Sequence, residues 1–324
     1  MSKFLRMISI TAIAVLSIVF TAQAAGKIIV GFSQIGAESA WRVANTDSIT
    51  SEAKKRSNID LKFSDAQQKQ ENQIKAIRSF IAQGVDVIGF SPVVETGWEP
   101  ILREAKRAGI PVILSDRAVD VKDDSLWVTF MGSDFVLEGK RAAQWLLSNY
   151  ARLKNPGKSA LKVNIVELQG TVGSAPANDR LSGFADVLDG SEFKVIKSQS
   201  GDFTRSKGKE VMEAFLKAEG KNIDVLYAHN DDMAIGAIQA IEEYGLEPGK
   251  DIIIVSVDAV RGAFEAMIEG KLNVSVECSP LLGPQFFDAV EDLMAGRSIP
   301  RRIVTKEGVF PAETAAQMLP TRKY

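Results

Sequence analysis

Four short apolar runs of this chain end in side chains suited to holding a polyhydroxylated ligand. Residues 27–33 (KIIVGFS) are followed by Gln34 and then by Glu38-Ser39-Ala40-Trp41-Arg42. Residues 111–115 (PVILS) run into Asp116-Arg117, residues 225–228 (VLYA) into His229-Asn230-Asp231-Asp232, and residues 252–257 (IIIVSV) into Asp258. A sugar-like molecule offers hydroxyls that both donate and accept, and an apolar C–H face. Holding it takes fixed donors and acceptors plus an aromatic plate. A guanidinium donates to two neighbouring hydroxyls and keeps its charge, and a carboxylate accepts from two in strong, charge-assisted bonds. Buried charges are tolerated when paired and fully bonded, and Asp116, Arg117 and Arg42 would neutralise one another inside a closed cleft.

Each residue also has a plainer reading. Asp116-Arg117 fits a surface turn. Trp41, at a helix start, fits a core position. Asn230, Asp231 and Asp232 fit a helix cap, as does Asp258 ahead of a helix near Val260. His229 is the only histidine, so it defines neither a catalytic pair nor a metal site by itself.

The elements that must position these residues alternate along the chain. Strands are expected at 27–33, 61–65, 85–91, 111–115, 162–168, 193–198, 225–228 and 252–257. Helices are expected at 41–56, 68–83, 98–108, 135–150, 179–188, 206–219 and 233–244. Gly84 and Gly109 follow two of these helices, where a left-handed cap is wanted. Runs of Ile and Val suit a parallel sheet covered on both faces. Alternation of this length, restarting after Asp134, predicts two doubly wound α/β lobes. Ligands of such sheets bind beyond the carboxyl ends of the strands, where the polar clusters fall.

The chain has 324 residues, enough for about two domains. At its start, Lys3 and Arg6 precede an apolar stretch over residues 7–20, and Ala22-Gln23-Ala24 is a small-x-small site. This predicts a secretory leader over residues 1–24, cleaved after Ala24. The apolar stretch is shorter than the about 20 residues a bilayer span needs, so no membrane insertion of the mature chain is expected. Cys278 is the only cysteine, which leaves none at the cleavage site for a lipid anchor. Loss of Lys3 and Arg6 takes the formal charge from −2 to −4, which argues against nucleic acid. No Gly-x-Ser-x-Gly elbow, phosphate-binding loop or metal cluster is present, which argues against an enzyme; a pair of carboxylates for glycoside hydrolysis is the remaining enzymatic option.

Taken together, residues 27–33, 38–42, Ser115-Asp116-Arg117, 201–211 (GDFTRSKGKEV), 227–232 (YAHNDD) and Val257-Asp258 resemble the type I periplasmic sugar-binding proteins, the family that includes the ribose-binding protein. Residues 67–79, 166–172 and 198–212 look like its galactofuranose-binding subgroup. The resemblance covers about residues 27–310. It implies a first lobe of 27–132 plus 279–310, a second of 133–278 plus 311–324, and a hinge near Gly132, Cys278 and Phe310. It implies sugar contacts from Glu38, Trp41, Arg42, Asp116, Arg117, Phe203, Asn230 and Asp258. Where ribose binders carry an arginine after a loop, simple alignment places Asn178, with Arg180 two residues on; Glu277-Cys278 stands where they carry a late glutamine. The loop at 170–178 departs from the subgroup. The implied function is capture of a monosaccharide, galactofuranose first, then arabinose, galactose or ribose. The implied partner is the membrane permease of an ABC importer, or else a chemoreceptor or sensor kinase. A periplasmic monomer is expected, with no cofactor and no metal. A repressor of the same fold would carry a DNA-binding segment where this chain carries the leader.

Overall fold

The computed structural model describes residues 26–158 and 161–324; the expected leader at 1–24 lies outside them. In chain order come β1 (Ile28–Gln34), α1 (Ala40–Lys55), β2 (Ile59–Asp65), α2 (Gln70–Gln83), β3 (Val87–Phe90), α3 (Glu99–Arg107), β4 (Val112–Ser115) and β5 (Thr129–Gly132). Then follow α4 (Phe135–Leu153), β6 (Val163–Gln169), α5 (Ala175–Leu188), β7 (Phe193–Ser200), α6 (Arg205–Glu219), β8 (Val225–Ala228), α7 (Asp231–Glu243), β9 (Ile253–Asp258), α8 (Arg261–Ile268) and β10 (Val274–Glu277). The chain ends with α9 (Gly283–Met294), β11 (Arg302–Val304), β12 (Val309–Pro311) and α10 (Ala312–Met318).

Two six-stranded sheets result, ordered β11-β5-β4-β3-β1-β2 and β12-β10-β9-β8-β6-β7. Every pairing is parallel except β10 with β12. The doubly wound expectation therefore holds for both lobes. Covered faces explain the continuous apolar strands. In the first lobe, Ile88 and Leu114 point to one core with Phe80, Trp98 and Leu102. Val87 and Ile113 point to the other, with Phe32, Phe286 and Phe287. The Phe286 ring meets Phe32 edge-on at 5.2 Å, which places α9 on the first lobe although it follows β10.

The chain thus passes between lobes three times: after β5, between β10 and α9, and between β11 and β12. Because β12 pairs with β10, the third passage lies ahead of Val309, earlier than the Phe310 boundary expected from sequence. Gly132 opens the first passage with φ +149°, and a Cβ there would lie 2.8 Å from the Asp116 carbonyl oxygen. Only glycine fits that approach.

Helix α5 begins at Ala175, four residues before the expected start. Pro176 lies in its first turn, where a missing N–H costs nothing and the fixed φ favours the helix. Strands β5, β10, β11 and β12, with α9 and α10, had no counterpart in the sequence reading. They are short or follow the last clear apolar run.

Candidate functional site

The site is built outward from β1 and β4. Gln34, at the end of β1, accepts from Ile35 N at 2.9 Å and from Arg42 Nη1 at 3.3 Å through Oε1. Ser39 caps α1 by accepting from Arg42 N. This fixes the first turn, so that Glu38 and Arg42, four apart, share a face. Arg42 donates to Glu38 Oε1 through Nε at 3.1 Å and to Asp116 Oδ2 through Nη2 at 2.7 Å. Burial pulls the Arg42 guanidinium down, but the charges of Asp116 and Glu38 outweigh it and hold it above its ordinary value. Asp116 follows β4 with φ +66°, an uncommon backbone for a residue with a side chain. Arg117 donates to Val93 O at 3.0 Å. Burial and the nearby charge of Arg42 lower its guanidinium to about 10, so it stays protonated at neutral pH.

The second lobe faces this set from β6, β8 and β9. Phe203 has φ +60°, and its ring lies on Gly170, where a Cβ would stand 1.9 Å from Cζ. The Arg117 guanidinium sits 5.3 Å from the centre of that ring, from across the cleft. Asn230 caps α7 by accepting from Met233 N at 3.0 Å and donates to Phe203 O at 3.1 Å. Asp258 ends β9 with φ +123°. Burial first, then neighbouring acids, raise its carboxyl well above the usual range. Arg180 donates to Glu138 Oε2 at 2.7 Å and to His229 O at 2.6 Å, and Nη2 lies 3.6 Å from Asp258 Oδ1. Three residues of the site, Asp116, Phe203 and Asp258, thus carry strained backbones, as functional sites often do.

Between the lobes lies a tightly closed cavity of about 20 Å³. Glu38, Trp41, Asp116 and Arg117 line it from the first lobe. Phe203, Asn230 and Asp258 line it from the second, together with Arg180, Phe135 and Pro176. Glu38 Oε2 and Arg117 Nε are buried with no hydrogen-bond partner. An unsatisfied buried polar atom costs about 1–3 kcal/mol, so two at one cavity mark a site organised for a ligand that supplies their partners.

Two expected contacts fall elsewhere. Arg42 lies behind the lining and spends its nitrogens on Glu38, Gln34 and Asp116; it holds the carboxylates in place. Asn178 does not line the cavity either, and its Nδ2 donates to Glu95 Oε2 of the first lobe at 2.6 Å. Arg180, two residues on in α5, lines the cavity instead. Phe135 went unread because β5, whose end it follows, went unread. Trp41 is buried, as its core reading expects, reaches the cavity and donates from Nε1 to Cys278 O at 2.7 Å. Asn230 likewise caps a helix and lines the cavity. Glu277 lies outside the lining and accepts from Arg322 at 2.8 Å, whereas Cys278 is part of the lining. His229 is buried between Glu167 and Gly170 N, at 3.2 and 3.4 Å.

The lobes also touch each other directly. Ala40 N donates to Asp232 Oδ2 at 2.7 Å, and Glu95 N donates to Gly173 O at 2.9 Å. The structure is closed over its cavity.

Two α/β lobes clasping a buried, polar, charge-balanced cavity at their strand ends define a ligand-capturing protein of the bilobal kind. The chain belongs to the periplasmic binding proteins: the family model described as a periplasmic binding protein domain matches residues 30–298. The galactofuranose-binding protein YtfQ of Escherichia coli (strain K12) is 53% identical over 303 residues, 92% of each chain. A Mycobacterium smegmatis protein in complex with β-D-fucofuranose is 52% identical, with a TM-score of 0.87 over 92% of this chain and 95% of that one. The periplasmic component of the arabinose ABC transporter from Shewanella sp. ANA-3, bound to α- and β-L-arabinofuranose, is 52% identical, with a TM-score of 0.85 over 91% and 95%. Two of these relatives are named as binding proteins.

Proposed function

We propose that this chain captures a monosaccharide in its furanose form, galactofuranose first and arabinofuranose next, and presents it to the membrane permease of an ABC importer. The observation that carries this reading is the cavity itself. Glu38, Asp116 and Arg117 on one lobe face Arg180, Asn230 and Asp258 on the other, a set of charged and amide groups suited to sugar hydroxyls. Trp41 and Phe203 supply aromatic surface for the C–H face. Ligand favours the closed form because only that form brings both sets of groups to it. A sugar lacking one hydroxyl leaves a charged partner unpaired, a penalty of about 1–3 kcal/mol or more. The names of the relatives, two of which mention furanoses and one galactofuranose, support the ring form.

In the same reading the mature chain starts at Ala25 in the periplasm and acts as a monomer. The lobes swing on the three passages at 132–133, 278–282 and 305–308.

The test is calorimetric titration of residues 25–324, freed of sugar by unfolding and refolding. The panel is equilibrated galactose, arabinose, ribose, glucose and xylose. Tight binding at a stoichiometry far below one per total galactose is expected, since only the minor furanose form counts. Binding that counts all the galactose moves the assignment to a pyranose site. No binding to any member of the panel sinks the monosaccharide reading.

A further inference from the structure

All three passages between the lobes meet at one carboxyl oxygen. Glu307 lies in the third passage. Its Oε1 accepts from Ser133 Oγ of the first passage at 2.5 Å and from Ser279 N of the second at 2.8 Å. Backbone bonds lie alongside: Thr305 N donates to Gly132 O at 3.0 Å, and Glu277 N donates to Gly308 O at 2.9 Å.

The groups around Glu307 come from every element packed there. From α4, Arg141 donates to the Glu307 main-chain oxygen at 3.1 Å, and Glu138 turns its carboxyl toward the cluster. A carboxylate oxygen of Glu138, Cys278 Sγ and a carboxylate oxygen of Glu307 lie within 4.8 Å of one another. Glu277 stands at the end of β10 and accepts from Gly308 N at 3.0 Å and from Arg322 of the C-terminal tail. Arg302 of β11 spends its nitrogens on Gly132, Ile303 and Ser133 carbonyls. The nearby arginines therefore serve main-chain oxygens or, as with Arg180 and Glu138, another acid. None forms a salt bridge with Glu307. Burial, and then the charge of Glu138, push the Glu307 carboxyl up to about 8. Both donors fall on Oε1, which leaves Oε2 to carry a proton.

We propose that Glu307 is the positioning residue of the hinge and couples closure of the cleft to the uptake of one proton. This rests on the reading of the cleft as a site that closes by hinge bending. Opening shifts the three passages against one another, breaks the bonds to Ser133 and Ser279, and admits water. A hydrated carboxyl ionises in its ordinary range. Closing returns it to a buried place beside Glu138, where the neutral form is favoured. The sign follows from linkage: closure binds a proton, so it weakens as pH rises from the open-form value toward about 8 and levels above that.

The experiment is calorimetric titration of the full mature chain with equilibrated D-galactose and with L-arabinose, in phosphate and in Tris at the same pH. The wild type is expected to take up close to one proton per sugar bound at neutral pH, and its Kd to rise with pH by up to about tenfold per unit. Glu307→Gln keeps an oxygen acceptor but cannot ionise; it is expected to take up about one proton fewer per sugar than the wild type and to show a flatter pH profile. A purely structural role would shift Kd equally at every pH. Sugar binding by the wild type without proton uptake, or unchanged uptake in Glu307→Gln, overturns the proposal. Small-angle scattering of the sugar-free chain at pH 6.5 and 9 separates this inference from the sugar reading. The wild type is expected to expand at the higher pH and Glu307→Gln to stay the same; an unchanged wild type counts against the hinge role. If neither sugar binds while the expansion is seen, the sugar assignment falls and the hinge role stands.

Discussion

The Arg42 guanidinium donates to Asp116 Oδ2 at 2.7 Å, and both side chains are almost wholly buried. The pair joins the first turn of α1 to the end of β4, and Glu38 closes it into a triad through Arg42 Nε. Removing one member of such a pair is far worse than never having built it, because the remaining charge is buried alone, at about 3–5 kcal/mol. Arg42→Ala leaves Glu38 without its salt-bridge partner and Asp116 with only the longer contact to Arg117 Nε, at 3.8 Å. A clear drop in melting temperature is expected, together with loss of sugar binding. Arg42→Lys keeps the charge but not the fork, so an intermediate loss is expected. Thermal unfolding and titration of both variants check this; wild-type stability in Arg42→Ala would show that the triad does not hold the site.

Arg117 is placed differently, and its removal separates binding from folding. Asp116 keeps Arg42 when Arg117 is gone, so no carboxylate is orphaned. Arg117→Ala is expected to fold with near wild-type melting temperature and to lose about a hundredfold or more in sugar affinity, in line with about 2–5 kcal/mol for a buried charged partner. Normal affinity in this variant would remove Arg117 from the site.

Both lobes were legible because their strands are runs of Ile and Val and their site residues stand at strand ends, where doubly wound sheets bind. Asp116, Arg117, Asn230 and Asp258 were found by that rule. What was not legible depends on contacts between distant elements. The partner of Arg180 is Glu138, which lies 42 residues away on another helix. The retreat of Arg42 from the lining follows from Gln34 and Asp116 claiming its nitrogens. Asn178 was placed by alignment alone; in the fold its amide is spent on Glu95 of the other lobe, a contact between distant elements. Glu307 sits in an irregular passage with no periodicity to mark it.

Asp232 gives a prediction that concerns closure alone. Its Oδ2 accepts from Ala40 N at the start of α1 in the other lobe, and Arg205 holds its Oδ1 at 2.8 Å. The carboxylate also faces the positive end of α1. It does not line the cavity. Asp232→Ala therefore weakens the closed form without changing what the sugar meets. Affinity is expected to fall by about tenfold, for a net loss of about 1–2 kcal/mol, by the same factor for every sugar bound, and mainly through faster release. Stopped-flow release rates with two sugars check this. A loss confined to one sugar would place Asp232 among the residues that read its identity.

His229 gives the second lobe an acid-sensitive group. It is the only histidine, so any titration near its ordinary value has one source of this type. Nδ1 lies 3.4 Å from Gly170 N and accepts from it, which leaves Nε2 to donate to Glu167 Oε1 at 3.2 Å in the neutral ring. Burial lowers its value below the ordinary 6.5, and the opposing pull of Glu167 does not overcome that. A group lowered on folding contributes stability that is present above its unfolded value and is lost as pH falls through the folded one. Protonating Nδ1 also breaks the bond to Gly170, the residue against which the Phe203 ring lies. The His229 contribution to stability is therefore expected to fall as pH drops below about 6.5, and His229→Gln to remove that part of the slope. Urea unfolding at pH 7.5, 6.5 and 5.5 measures both slopes; equal slopes in the two proteins would show that the acid sensitivity arises elsewhere.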